Sequence, residues 1–169
     1  MVPTNLTLAH QLRSAADAVE RATARLADWQ WNLMVPAEER TIGQLVDHIA
    51  WAWEAESAAF RAIAGGASNS GWTQEWLNRQ NAEEARLSEQ RTKREILQSF
   101  RASSNLAVAF VESLSTTDLQ RSGTHMPGEP ERTVAGWIEA CLIGHPREHL
   151  TEIEVVVSTS DPATQGPPT

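Results

Sequence analysis

The chain has 169 residues, of which 41% are hydrophobic, and a formal net charge of −8 from 14 Lys and Arg against 22 Asp and Glu. This length and composition indicate one globular domain with a sizeable core. An acidic surface without a basic cluster repels phosphates and anionic headgroups, which argues against nucleic acid and membrane partners. Residues 1–157 are predicted to form the domain, and the polar, proline-rich residues 158–169 a disordered tail.

The single cysteine, Cys141, rules out an intrachain disulfide and excludes a cysteine-based zinc site. The amino terminus has no apolar core of signal-peptide length, and no run approaches the length of a membrane span. These features predict a cytoplasmic protein.

Apolar residues recur at helical spacing in four long stretches, which predicts an all-α fold. The predicted bounds of the long helices are 5–29, 41–64, 92–114 and 133–157. A Gly/Ser-rich loop follows the second helix, and a short helix is expected within 74–90. Four helices of about twenty residues each predict a four-helix bundle. Because the connection between helices two and three is too long for a tight hairpin, it is expected to cross over, giving an up-down-down-up order.

Three of the five histidines are predicted to point inward. His48 lies in line with small and apolar residues of the second helix, and His145 and His149 continue the apolar stripe of the fourth. Histidines at i and i+4 point the same way and can bracket one ion. Buried imidazoles without partners would cost on the order of 1–3 kcal/mol each, whereas a divalent metal satisfies them and leaves a position for water, as in catalytic zinc sites. The alternative is an ordinary amphipathic helix end whose histidines bond to carbonyls.

Pro146 lies between two of these histidines, in GHPREHLTEI, and removes one backbone N–H from the helix. The carbonyl of Leu142 would then need another donor. Either one helix bends at Gly144–Pro146, or a new helix begins with Pro146 as its first residue. The unbroken phase of the apolar stripe favours one bent helix.

Other residues have two interpretations each. His125 lies in a Pro/Gly-rich loop and is either exposed or placed over the site. Cys141 either approaches His145 or packs as a small hydrophobe. Glu152 either orients His149 or is solvated. Trp72 and Trp76, in or beside the long connection, suggest a lid or a dimer contact. His10 is expected to face solvent, and Asp47 to point away from the site.

Two segments, TIGQLVDHIAWAWEAE and TVAGWIEACLIGHPREHLTEI, resemble the DinB-like (YfiT-type) superfamily. The shared pattern is one histidine in helix two and an H-x-x-x-H pair in helix four. The resemblance covers most of residues 5–157 in architecture. It implies an up-down-down-up bundle, a zinc or nickel ion on His48, His145 and His149, and a homodimer.

Characterised members of the superfamily include thiol-dependent S-transferases and maleylpyruvate isomerases that use mycothiol or bacillithiol. Another branch protects against genotoxins and need not carry a metal. The resemblance therefore implies a metal-dependent enzyme, either a hydrolase or a thiol-dependent S-transferase or isomerase, acting on a small molecule. The alternatives are a non-catalytic binding or toxin- and stress-protection protein, or a plain helical dimer that binds a partner. Only Arg132 and Arg147 are near enough in sequence to bind a thiol cofactor's carboxylates, and each is more typical of a surface residue.

Overall fold

A computed structural model describes residues 3–160, and most of them are helical. The α-helices are α1 Asn5–Thr23, α2 Asp28–Trp31, α3 Ile42–Ala64, α4 Gln74–Ser88, α5 Lys93–Ser113, α6 Thr116–Gln120, α7 Val134–Trp137 and α8 His145–Ser160. A π-helical segment, Ile138–Gly144, joins α7 to α8. Two antiparallel pairs of short strands complete the structure: β1 Met34–Val35 with β2 Arg40–Thr41, and β3 Ser122–Gly123 with β4 Arg132–Thr133.

Four long helices form the bundle: α1, α3, α5 and the continuous helix of residues 134–160, here called the fourth helix. Both α1 and α3 pack against α5 and against the fourth helix, while α4 rests on the outside of α3. Large side chains such as Trp53, Phe60 and Phe100 fill the space between them and are almost completely buried. The prediction of a four-helix bundle is thus confirmed, and the order of helix directions stays a prediction.

Local signals in the sequence fix where α3 and α5 begin. Thr41 caps α3 by accepting a hydrogen bond from the backbone of Gln44, whose side chain bonds back to the Thr41 N–H. Thr92 and Glu95 form the same reciprocal arrangement at the start of α5. Such capping boxes satisfy two of the donors that a helix amino terminus leaves free. The start of α3 matters for the site, because His48 is carried on its second turn.

The first helix ends at Thr23, six residues before the predicted bound of 29, so that prediction was too long. The chain turns there, and Trp31 of the short helix α2 packs into the core beside Gly43. A Cβ atom at Gly43 would lie 2.2 Å from the Trp31 Nε1 atom, so this approach requires glycine. An uninterrupted helix to residue 29 would carry Trp31 away from that contact.

The short strand pairs were absent from the predictions, because two residues are too few to show an alternating pattern. The β1–β2 hairpin positions Glu38 and Arg40 near the candidate site. Helix α8 continues to Ser160, so residues 158–160 of the predicted tail are helical, and residues 161–169 lie outside the described residues. Among residues 3–160, no helix combines the length and apolarity needed to span a membrane.

Candidate metal centre

His48, His145 and His149 come together between α3 and the fourth helix, as their inward placement predicts. Each offers a ring nitrogen, and these nitrogens lie within 4.8 Å of one another. The Nε2 atoms of His145 and His149 are 2.7 Å apart. Ring centroids of His48 lie 5.4 Å from His145 and 5.7 Å from His149, both in edge-on orientations. Three imidazoles from two helices therefore converge on one small volume.

Their surroundings keep the imidazoles out of water. His149 is only 4% exposed and His48 9%. Burial first, and then the nearby His149 and His48, lower the pKa of His145 from 6.5 to about 3. His145 is therefore neutral across the physiological range, which is the form in which imidazole binds a metal.

Carboxylates approach two of the histidines. Glu152 Oε2 lies 2.8 Å from His149 Nδ1, so it accepts a hydrogen bond from that nitrogen and directs Nε2 towards His145. Glu38 Oε1 is 4.0 Å from the same Nδ1 atom. Glu84 Oε2 lies 3.5 Å from His48 Nδ1. A carboxylate hydrogen-bonded to the outer nitrogen of a ligating histidine fixes its ring orientation and raises its basicity.

The donor set fits a divalent ion. Two nitrogens bound to one tetrahedral zinc, each at about 2.0–2.1 Å, would stand roughly 3.3 Å apart. The 2.7 Å separation of His145 Nε2 and His149 Nε2 needs to open only slightly to reach that value. Furthermore, His48 Nδ1 is buried without a hydrogen-bond partner. This nitrogen faces Glu84 Oε2 at 3.5 Å, so Nε2 is the His48 atom left to join the other two imidazoles at an ion.

The backbone around Pro146 is helical throughout, with a change of helix type in place of a break. Residues 138–144 are π-helical, and the His145 N–H bonds to the carbonyl of Ala140. A Cβ atom at Gly144 would lie 3.1 Å from the Glu139 carbonyl oxygen, so glycine suits this tight turn. Short π-helical segments are rare and frequently occur at functional sites. One continuous helix was the favoured prediction, and the bend itself stays a prediction.

The carbonyl of Leu142, to which Pro146 cannot donate, receives a hydrogen bond from a side chain. Trp53 Nε1 lies 2.9 Å from the Leu142 oxygen, and both groups are buried. From the sequence, Pro146 implies that this carbonyl needs another donor, but nothing local shows that Trp53 supplies it. Trp53 thereby ties α3 to the fourth helix one turn before the histidine pair.

Replacing Trp53 by phenylalanine is expected to destabilise the fold by about 1–3 kcal/mol, because the buried carbonyl loses its donor. Chemical denaturation measures the change. Trp29, which is 51% exposed, provides the matched Trp→Phe control. In a Pro146→Ala background, residue 146 regains an N–H four residues after Leu142, so the cost of Trp53→Phe should shrink there. An equal cost in both backgrounds would contradict this role for the indole.

Most of the other residues singled out in the sequence lie away from the three histidines. Asp47 pairs with Arg91, away from the imidazoles. His10 is exposed, as expected, and so are Arg132 and Arg147.

His125, Cys141 and Trp72 take part in a separate cluster. His125 is buried next to Glu56 and Cys141, and Trp72 packs on its ring. Cys141 therefore lies with these residues and was not brought into the three-histidine group.

Arg40 and Glu84 form a buried pair that was absent from the predictions. Arg40 Nη1 donates to Glu84 Oε2, and Arg40 Nη2 donates to the carbonyl of Asn81 at 3.3 Å. Glu84 is 7% exposed, although α4 is mainly polar. A charged residue this deeply buried is paired almost without exception. No periodic signal in α4 distinguishes Glu84 from the exposed Glu83 beside it.

Comparison with known proteins identifies the family. The structure is similar to that of YfiT from Bacillus subtilis, described as a probable metal-dependent hydrolase with an unusual four-helix bundle topology. The TM-score is 0.76 at 14% sequence identity, over 92% of this chain and 86% of YfiT. Among curated proteins, none matches the sequence. A sequence model of the DinB superfamily matches residues 11–153, and the chain therefore belongs to the DinB superfamily.

Proposed function

We propose that this protein is a metal-dependent hydrolase that acts on a small molecule, with a zinc or nickel ion held by His48, His145 and His149. The observation that carries the proposal is the convergence of three shielded imidazole nitrogens within 4.8 Å. Three protein nitrogens leave coordination positions open, as catalytic rather than structural zinc sites do. The description of YfiT as a probable metal-dependent hydrolase supports the same class of reaction.

A divalent ion in such a site supplies Lewis acidity and lowers the pKa of a coordinated water to about 7. The residues of the chain hold the ligands in place for this chemistry. Glu152 accepts a hydrogen bond from His149 Nδ1–H, which leaves the Nε2 lone pair free. His145 is neutral because its pKa is lowered to about 3 by burial and by its histidine neighbours. Trp51 stacks near His48, with ring centroids 5.9 Å apart, and limits its movement.

The charges around the imidazoles favour hydrolysis over a thiol-dependent reaction. Glu38 and Glu152 lie beside His149, and Glu84 lies beside His48. A cluster of carboxylates attracts a cation and repels the carboxylates of an anionic thiol cofactor. The nearby Arg40 is already paired with Glu84. The S-transferase, isomerase and protection functions are therefore alternatives that the experiment below distinguishes.

Metal analysis and hydrolysis assays on the full chain test the proposal. The purified protein is expected to hold close to one equivalent of metal, and removal by a chelator should abolish hydrolysis of activated esters and amides until zinc or nickel is restored. Less than about half an equivalent after soaking in either metal would contradict an active site of this kind. Turnover that requires an added thiol would indicate the S-transferase or isomerase alternative. Metal binding without turnover of any substrate would favour the protection function.

Three further features belong to the same proposal. The helices are proposed to follow an up-down-down-up order, with the long connection of residues 65–92 crossing between α3 and α5. The protein is proposed to form a homodimer and to act in the cytoplasm. Light scattering on the purified chain tests the homodimer, and a monomer at micromolar concentration would contradict it.

A further inference from the structure

A second group of metal-binding side chains lies between α3, the β3–β4 connection and the π-helical segment. It consists of Glu56, His125 and Cys141, one residue from each of these elements. Their ligand atoms lie within 4.8 Å of one another. The closest pair is Glu56 Oε2 and His125 Nε2, which are 2.8 Å apart. None of the three belongs to the three-histidine group.

Two buried polar atoms of this group have no well-aligned hydrogen bond. His125 is 5% exposed, and neither its Nε2 atom nor Glu56 Oε2 has a hydrogen-bond partner among the described residues. The two atoms attract each other as an ion pair, and although burial opposes it, Glu56 and Glu129 together raise the pKa of His125. Buried polar atoms are hydrogen-bonded in the great majority of cases, and these two have only a poorly aligned contact with each other, which a cation could replace with stronger bonds. Both atoms face each other, so one partner could satisfy them together.

We propose that Glu56, His125 and Cys141 form a second metal site, separate from the three histidines, for a divalent cation of the zinc class. Thiolate, imidazole and carboxylate are the three ligand types that zinc takes in proteins. Hard cations such as magnesium and calcium prefer oxygen ligands alone, so the sulfur and nitrogen donors select against them. The single cysteine was expected to exclude a cysteine-based zinc site, and this site revises that expectation, because one thiolate together with an imidazole and a carboxylate makes three ligands.

The surroundings of the group match those of a metal site. Glu129 Oε2 lies 3.5 Å from His125 Nδ1, on the opposite side of the ring from Glu56. A carboxylate in that position orients a ligating histidine. Aromatic rings enclose His125, with ring centroids at 4.7 Å for Trp72, 5.4 Å for Trp137 and 5.6 Å for Phe60. This apolar wall limits the access of water and strengthens the attraction between a cation and its ligands.

A catalytic cysteine is the competing interpretation of the same residues, and the electrostatics oppose it. Burial, followed by the negative charges of Glu56 and Glu129, raises the pKa of the Cys141 thiol far above its usual range. Without a cation the thiol is protonated and is a poor nucleophile. A bound divalent cation reverses this balance, because a coordinating thiol loses its proton. The group therefore suits metal binding better than nucleophilic attack.

Cobalt titration of a full-length variant lacking the first site tests the proposal. In His149→Ala, the chain is expected to bind close to one equivalent of Co²⁺ and to develop the near-ultraviolet absorption of a thiolate-to-cobalt charge transfer. Because Cys141 is the only cysteine, this band reports on a single residue. Adding Cys141→Ser should abolish the band, and adding His125→Ala should weaken Co²⁺ binding by at least about 10-fold. His10→Ala, at an exposed histidine, serves as the control and should leave the band unchanged.

Absence of the band at excess Co²⁺, or unchanged binding after His125→Ala, would overturn the proposal. If His149→Ala fails to fold, the unsubstituted chain provides the same test. There, a charge-transfer band and two equivalents of Co²⁺ are expected, and Cys141→Ser should remove the band and one equivalent. An unsubstituted chain without the band contradicts the second site. Loss of the three-histidine site alone would leave the band intact, so failure of the two proposals can be told apart.

Discussion

Replacing His149 by alanine is expected to lower the affinity for zinc or nickel at the three-histidine site by more than about 100-fold. Even the loss of a residue that is hydrogen-bonded to a ligand typically costs about 10–100-fold in metal affinity, and the loss of a ligand costs more. His149 is the most deeply buried of the three histidines and the one whose orientation Glu152 fixes. Its removal leaves two ligands from the three-histidine group, one fewer than the three protein ligands of catalytic zinc sites.

Competition with a chelating indicator measures this affinity, and circular dichroism checks that the variant is folded. The matched control is His10→Ala, because His10 is exposed on α1 and lies outside the group. The control should bind metal as the unsubstituted chain does. Both variants also carry Cys141→Ser, so that metal bound at the second proposed site does not contribute to the measured affinity. Unchanged affinity in His149→Ala under these conditions would show that the three histidines do not hold the ion.

The histidine group could be predicted from sequence because helical periodicity determines direction. The spacing of His145 and His149 places them on one face, and the apolar neighbours of His48 place it inward. In the structure the ring nitrogens of these three histidines do lie within 4.8 Å of one another. The same reasoning predicted four long helices and most of their bounds, since the apolar stripes and the Gly/Ser-rich loop after the second helix carry local information.

Features that depend on contacts between distant segments could not be predicted in this way. The early end of α1 depends on the contact of Trp31 with Gly43, which no local pattern shows. His125 was placed in a loop, where histidines are usually exposed, yet Glu56, Trp72 and Trp137 bury it. Loop composition predicts the absence of regular structure but not which loops fold back onto the core.

Glu84 is a buried charge on a mainly polar helix, and its replacement is expected to lower the stability of the fold strongly. Arg40 and Glu84 form an ion pair whose side chains are 11% and 8% exposed. Removing one partner of a buried pair leaves an uncompensated charge, which typically costs about 3–5 kcal/mol. The pair also joins the β1–β2 hairpin to α4 and places the carboxylate 3.5 Å from His48 Nδ1. Glu84→Gln, which keeps the shape of the side chain, is therefore expected to destabilise the fold by about 3 kcal/mol.

The adjacent residue of α4 provides the control for this prediction. Glu83 pairs with Arg86 at 2.7 Å, but both side chains are more than half exposed. Exposed ion pairs contribute little, so Glu83→Gln should leave the free energy of unfolding nearly unchanged. Urea denaturation with a chelator present measures the free energy of unfolding of both variants without a contribution from metal binding.

A double replacement of Arg40 and Glu84 by Met and Leu should recover most of the lost stability, because it removes the unpaired charge together with its partner. A similar small effect for Glu83→Gln and Glu84→Gln would show that the Arg40–Glu84 pair behaves as a surface contact and does not hold α4 against His48.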